Sequence, residues 1–352
     1  MYIHSLARVV CLAMFGFLAS ACETHESSPP PVTGGGGTEG GSGGSGPKCE
    51  ALAIGLNSVD PNHYNGWSGA LGGCEPDAKD MNEIAKAANL DSTMLLTKAA
   101  TQKAVLDAIA AAAGRIPAQG LFVLSYSGHG GQVPDENGDE PDGVDETWCL
   151  YDGQLIDDEL YAALGQFKPD VRVLVFSDSC HSGTVLKMVP KDFTEDSEPR
   201  KKELEDGWKS KVMSLKNMPR ERGVAAAASE AIVRSAPPDV LVKTFRKNRA
   251  GYEARGKAVR KDAKSAIQCR AILISGCGDP QTSADLGTNG LFTVVLKQVW
   301  NHGAFAGDHT KFHQQIRDGV VAQNPSQAPE LFTLGPNLTT FVAQKPYTRS
   351  SP

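Results

Sequence analysis

Four short apolar runs punctuate the chain: Ala51–Leu56, Leu121–Tyr126, Val171–Phe176 and Ala271–Ser275. Each is nearly continuous rather than alternating, which suits strands of a parallel sheet covered on both faces. Helical spacing appears between them. Asp77–Leu90 places Met81, Ile84, Ala85 and Ala88 on one face, and Thr101 can cap a helix whose apolar side carries Val105, Ile109 and Ala112. Asp157–Phe167, Leu291–Trp300 and His309–Val321 also read as helices. Strands alternating with helices predict an α/β sandwich with a mostly parallel central sheet flanked by helices.

The first 48 residues follow another pattern. Arg8, the apolar run Val9–Leu18 and the small residues Ala19-Ser20-Ala21 before Cys22 have the order of an export signal. The run is shorter than the ~20 apolar residues of a spanning helix. Small residues directly before a cysteine resemble a bacterial lipobox, with Leu18 one place further out than usual, and make Cys22 the candidate acylated residue. An ordinary signal peptide with Cys22 incidental is the alternative. Residues 23–48 are rich in Pro, Gly and Ser and read as a flexible tether. The expected division is a signal peptide over 1–22, a tether over 23–48 and a single domain over 49–345. The expected location is outside the cytoplasm, lipid-anchored to a bacterial membrane on its periplasmic side or at the cell surface.

Charge changes the picture in one place. The chain has a net charge of −6, but residues 187–264 alone hold 20 Lys and Arg against 12 Asp and Glu. This segment shows no strand pattern and reads as a solvated surface insertion, helical or loop-like. The other residues are acidic, which argues against nucleic acid as a partner. The eight cysteines contain no CxxC pair and suggest neither a metal framework nor a disulfide.

Candidate chemistry lies where two strands end. One runs into Ser127-Gly128-His129-Gly130-Gly131, the other into Asp178-Ser179-Cys180-His181-Ser182-Gly183. In an open α/β sheet the carboxyl ends of the strands line the crevice where ligands bind, so adjacent parallel strands would bring His129 and Cys180 to one rim. A thiol attacks as its thiolate and needs a nearby imidazole, which can also protonate a leaving amine. Gly130 N–H and Cys180 N–H are the natural donors to a developing oxyanion. His181 adjoins Cys180, but neighbouring side chains on a strand point apart.

Tyr126–Gly131 together with Asp178–Gly183 resembles the catalytic pair of the caspase-like superfamily, in particular its metacaspase or orthocaspase branch. Leu71–Ala78, Leu273–Ala284 and Ser326–Leu331 agree with the same resemblance. It implies a caspase-like three-layer sandwich and a pocket, lined by Cys74, Asp77, Ser127 and Asp178, for the residue before the scissile bond. Two carboxylates there favour Arg or Lys and repel acidic side chains; as the start of a helix, Asp77 is also a candidate N-cap. Calcium-activated members bind the ion through aspartates corresponding to Asp145, Asp157 and Asp158, while Lys187 stands where they have a further carboxylate. The acidic loop Asp135–Glu146 half-fits an EF-hand, but Glu140 takes its required glycine position.

The expected function is therefore a cysteine endopeptidase acting after Arg or Lys on proteins or peptides through an acyl-enzyme. No cofactor is required, and Ca²⁺ is a candidate activator. The alternatives are a catalytically weak caspase-fold scaffold tethered to a membrane and a calcium-binding structural lipoprotein. The basic segment begins soon after Cys180, so a Lys or Arg from it could fill the acidic pocket and be cut. Arg200–Lys202, Arg220, Arg222, Arg246-Lys247 and Arg260-Lys261 are the candidate sites.

Overall fold

A computed structural model describes residues 47–141, 143–180, 232–278 and 281–349. A six-stranded sheet forms its centre. Its strands are β1 (Cys49–Gly55), β2 (Asp91–Leu96), β3 (Leu121–Ser127), β7 (Arg172–Asp178), β9 (Arg270–Ser275) and β11 (Glu330–Leu334), in the spatial order β11-β9-β7-β3-β1-β2. All neighbours pair in parallel except β11, which runs antiparallel to β9 at the edge. The four strands read from apolar runs are β1, β3, β7 and β9, the inner four.

Helices cover both faces. On one side α1 (Cys74–Ala87), α5 (Leu291–Trp300) and α6 (His309–Gln323) bury Met81, Ile84, Val295, Leu296, Phe312 and Ile316 against the sheet. On the other, α2 (Gln102–Arg115) and α3 (Asp157–Leu164) bury Val105, Ile109, Ala112 and Leu164. Thr101 caps α2, its hydroxyl accepting from Ala104 N–H at 3.2 Å. The expected three-layer α/β sandwich is what the chain forms. A four-residue helix, α7 (Thr339–Val342), follows β11.

Two features depart from the sequence expectation. Beside the main sheet lies a three-stranded antiparallel sheet of β4 (Gly130–Pro134), β5 (Val144–Leu150) and β6 (Gly153–Ile156). The second departure is the later part of the basic segment, which is not a solvated insertion. Ile232–Val233 forms β8, paired with β10 (Ala284–Asp285), and Pro238–Ala258 forms α4. Leu241, Phe245 and Tyr252 of α4 are buried with Val59, Tyr64, Val133 and Ile156 in a separate core. Along the exposed side of α4, Lys243 pairs with Asp239 and Arg249 with Glu253. Residues 187–231 and Lys187 itself lie outside the described residues, as do Cys22, the leader and most of the tether. No helix among the described residues is long and apolar enough to cross a membrane.

Candidate active site

The register of the sheet builds this site. Ser127, the last residue of β3, pairs with Asp178, the last of β7. His129 and Cys180 each follow two residues later, so both leave the same rim of the sheet side by side. Both are buried.

His129 is held by its own backbone and by its ring. Its carbonyl accepts from the Tyr126 hydroxyl at 2.7 Å and from Cys149 N–H at 2.9 Å. Tyr126 is in turn stacked on Trp148, their ring centres 4.4 Å apart. Nε2 of His129 lies 3.0 Å from the Gly69 carbonyl, and the Trp67 ring packs 4.7 Å from the imidazole. A carbonyl can only accept, so this contact places the proton on Nε2. Nδ1 is then the lone-pair nitrogen, and it is buried with no hydrogen-bond partner. Burial lowers the imidazole's pKa to about 4; the Gly69 carbonyl opposes that shift and the nearby Arg234 charge adds to it. The ring is therefore neutral near pH 7.

No hydrogen bond joins His129 to Cys180. The Cys180 sulfur is turned toward Ser283, accepting from its N–H at 2.6 Å.

A side chain from the protein itself fills the acidic pocket. Arg234 has no exposed surface. One terminal nitrogen, Nη1, lies 2.9 Å from Asp178 Oδ2 and 2.7 Å from Ser127 Oγ. The other, Nη2, lies 2.7 Å from Asp77 Oδ2 and 3.0 Å from Asp285 Oδ2. Its carbonyl oxygen accepts from both Gly130 N–H and Cys180 N–H at 3.1 Å. These are the two donors named from the sequence as an oxyanion hole. Gly130 can form this wall only without a side chain, because a Cβ there would collide with the Cys180 carbonyl.

Three buried carboxylates around one guanidinium need further support, and backbone and side-chain donors supply it. Asp77 accepts from Gly290 N–H at 3.0 Å, from Asn289 Nδ2 at 2.8 Å and from Ser127 Oγ at 2.8 Å. Asp178 accepts from Thr293 Oγ1 at 2.9 Å and from Ser283 Oγ at 2.6 Å, and its Oδ2 lies 3.3 Å from Thr293 N–H at the start of α5. Asp285 accepts from Gly73 N–H at 3.0 Å and from Gly287 N–H at 2.7 Å. Even so, burial and the charge of Asp178 hold the Asp77 carboxyl up at about 7 against the pull of Arg234. Arg234 itself is desolvated, but Asp178, Cys74, Asp77 and Asp285 more than offset this and raise its pKa, keeping it charged.

Cys74, Asp77, Ser127 and Asp178 thus gather around Arg234 and Asp285. Asp77 is not an N-cap, however. Gly73 occupies that position, and Asp77 lies in the first turn of α1, facing the pocket. Sequence reading missed Asp285, which follows β9 at the same rim, and missed Arg234 and Gly69. Asp285 had a signal available: it is an acid one residue past the stretch that carried the resemblance.

The predicted cation ligands are redistributed. Carboxylate oxygens of Asp135, Asp139 and Asp145 form one tight group, and Glu140, Glu146 and Asp157 form another. Asp158 belongs to neither group and accepts from Asn137 instead. Asp145 is buried, neither of its oxygens has a partner, and burial followed by repulsion from Asp157 and Asp135 pushes its carboxyl up to about 9. An oxygen-rich group with an orphaned buried carboxylate fits a hard divalent cation.

The family model described as the caspase domain matches residues 51–338. Metacaspase-1 of Mycosarcoma maydis is 31% identical over 307 residues, covering 82% of this chain and 71% of its own. Metacaspase-1 of Schizosaccharomyces pombe is 28% identical, covering 81% of this chain and 67% of its own. A crystal structure of a Geobacter sulfurreducens protein superposes with a TM-score of 0.71 at 44% identity, covering 86% of this chain and all of that one.

Proposed function

This chain belongs to the caspase-domain family of cysteine peptidases, and from that premise we propose an endopeptidase that cuts after arginine, and less well after lysine, through Cys180 and His129. One observation carries the reading. Arg234 has its guanidinium among Asp77, Asp178 and Asp285 while its carbonyl oxygen meets the Gly130 and Cys180 amides. Such an arrangement is what a substrate's residue before the scissile bond requires.

In this reading the Cys180 thiol transfers its proton to Nδ1 of His129 and the thiolate attacks the carbonyl carbon. The oxyanion formed is held by the two amides, each such donor contributing roughly 10²–10³ in rate. The imidazolium then protonates the leaving amine, and a thioester remains on Cys180. Water attacks that thioester, with His129 again accepting the proton, and the thiol is restored. Gly69 keeps the proton on Nε2 and so fixes which nitrogen faces the reaction.

Two distinct nitrogens of the guanidinium meet different carboxylates. A lysine ammonium is a single point and cannot span Asp178 on one side and Asp77 with Asp285 on the other. The preference for arginine follows from that geometry.

Calcium as an activator belongs to the same proposal. Asp135, Asp139 and Asp145 would hold the ion, which would supply positive charge to a loop whose acids repel one another. Lipid attachment at Cys22 is also retained as a proposal; retained membrane association of a Cys22→Ser protein would sink it.

The decisive experiment uses peptides with Arg, Lys or Asp before a fluorogenic leaving group. The expected order is Arg, then Lys, with Asp not cut. Cys180→Ala and His129→Ala should each lose activity at least 10³-fold with unchanged circular dichroism. Wild-type turnover by Cys180→Ala would refute the mechanism and leave the scaffold reading.

A further inference from the structure

His129 has to become a cation with no carboxylate bonded to it. When the Cys180 thiol gives its proton to Nδ1, the ring carries a full charge in a buried site. Nε2 meets a carbonyl, and Nδ1 has no hydrogen-bond partner. Burial opposes that charge, and so does a guanidinium in the neighbouring pocket, while the Gly69 carbonyl and the Asp285 carboxylate favour it. An aromatic ring also lies against the imidazole. The ring centres of Trp67 and His129 are 4.7 Å apart, with their planes inclined at 56°.

The loop between β1 and α1 brings these two rings together. Gly69 has a φ of +55°, and a Cβ there would stand 2.9 Å from the indole Cη2 and 3.1 Å from the His129 Cδ2. With no side chain, Gly69 can offer its carbonyl to Nε2 and still leave the indole room against the same ring. The loop is pinned on either side of Trp67. Val59 N–H donates to the Ser68 carbonyl at 2.9 Å, Asp60 N–H to the Tyr151 carbonyl at 2.9 Å, and the buried Tyr64 hydroxyl to the Leu150 carbonyl at 2.8 Å. Helix α4 holds the outer turn: Asn248 Nδ2 lies 3.3 Å from the His63 carbonyl, and the His63 ring 2.8 Å from the Tyr252 hydroxyl. Trp67 is half-buried and packs on the core that α4 forms, so it is not free to swing into solvent.

We propose that Trp67 is a positioning residue for the reaction, its π cloud stabilising the imidazolium that forms when Cys180 loses its proton and its bulk keeping the ring from pivoting about the Gly69 contact. The proposal rests on the reading of Cys180 and His129 as the nucleophile and base. A cation within about 6 Å of an indole centre is attracted by the ring quadrupole, more strongly where water is excluded. The neutral imidazole gains little from that attraction. The contact therefore favours the charged ring, which is present in acylation and again in thioester hydrolysis, over the resting one. Its contribution is about five- to thirtyfold in rate. Phenylalanine would keep most of this, whereas leucine would cover the imidazole without a π cloud.

The test uses full-length wild type, Trp67→Leu and Trp67→Phe, together with His129→Ala and Trp67→Leu/His129→Ala. Alkylation of Cys180 by an arginyl chloromethyl ketone at pH 7 is resolved into a binding constant and a limiting rate. Hydrolysis of an Arg peptide gives kcat and KM per titrated thiol. Trp67→Leu should lower the limiting rate and kcat about five- to thirtyfold. The binding constant and KM should stay within about twofold, because Asp77, Asp178 and Asp285 hold the guanidinium without Trp67. Trp67→Phe should remain within about threefold of wild type. In the His129→Ala background the thiolate forms with no imidazolium beside it, so adding Trp67→Leu should change the limiting rate less than about twofold. Trp67→Met repeats the measurement with a different apolar side chain and guards against misfolding of the leucine variant. Equal limiting rates in wild type and folded Trp67→Leu overturn the proposal alone, as do equal losses in the leucine and phenylalanine variants. A loss in the His129→Ala background as large as in the wild type also overturns it, since the effect would not then pass through the imidazole. Absence of both alkylation and hydrolysis in every folded protein that keeps Cys180 and His129 overturns the catalytic reading beneath it.

Discussion

Replacing Asp285 with asparagine isolates the residue that sequence reading missed. The shape is kept, and one oxygen can still accept from Gly73 or Gly287 N–H, but the charge facing Arg Nη2 at 3.0 Å is removed. A charge-assisted hydrogen bond contributes about 1.5–3 kcal/mol and a neutral one about 0.5–1.5. The loss for an arginine substrate is thus about 1 to 2 kcal/mol, or roughly five- to thirtyfold in kcat/KM. It stays below the ~3–5 kcal/mol of a broken buried pair because Asp77 and Asp178 still hold the guanidinium. A lysine substrate has one nitrogen to place. If it rests against Asp178 and Ser127, it loses little, and the arginine preference shrinks by about the same factor. The assay measures kcat/KM for matched Arg and Lys peptides, with rates divided by the thiol titrated by an arginine-based alkylating inhibitor, so that only molecules with an open cleft are counted. Wild type should favour Arg by at least about tenfold. Equal losses for both peptides in Asp285→Asn, or a wild type indifferent to Arg and Lys, would refute the two-nitrogen argument.

Other outcomes follow from the same geometry. Because burial holds His129 neutral down to about 4, the uncharged base persists below the ordinary histidine range, and charge is gained only as pH falls through that lower value. In an Asp77→Asn protein, which lacks the other group titrating near 7, kcat for an Arg peptide should therefore fall less than about threefold between pH 7 and pH 5, where an unperturbed imidazole of pKa ≈ 6.5 would lose roughly 25-fold. An acid limb centred at 6.5 would contradict the burial argument. Asp145→Asn removes the orphaned buried carboxylate and should weaken Ca²⁺ binding at least tenfold by calorimetry. Undiminished binding would move the ion elsewhere.

The inner sheet was legible because its strands are buried on both faces and must be apolar nearly throughout. β2 and β11 were not, for the converse reason. They lie at the edges of the sheet, and Asp91, Thr93, Met94 and Thr333 are exposed, which dilutes the apolar signal. The antiparallel strands β4 to β6 are hidden by glycines and acids, since Gly130, Gly131, Gly153, Asp145 and Glu146 serve the cleft and the acidic loop rather than a core.

The pocket shows where reading from sequence stops and why. Asp77, Ser127 and Asp178 stand at recognisable ends of elements, so their meeting follows once strand order is known. Asp285 lies in a two-residue strand and Arg234 directly follows another, neither with a periodicity to detect, and only tertiary pairing brings them in. Composition pointed to the basic segment as a source of a pocket-filling cation, but it ranked clusters of Lys and Arg above a solitary residue. The physics ranks them the other way. A guanidinium that must be wholly buried among acids has to arrive on an extended backbone flanked by small or apolar neighbours, as in Ile232-Val233-Arg234-Ser235-Ala236. Neighbouring charges would have to be desolvated with it, at several kcal/mol each. A lone arginine between apolar and small residues is thus the better candidate for the cleft than any dibasic pair.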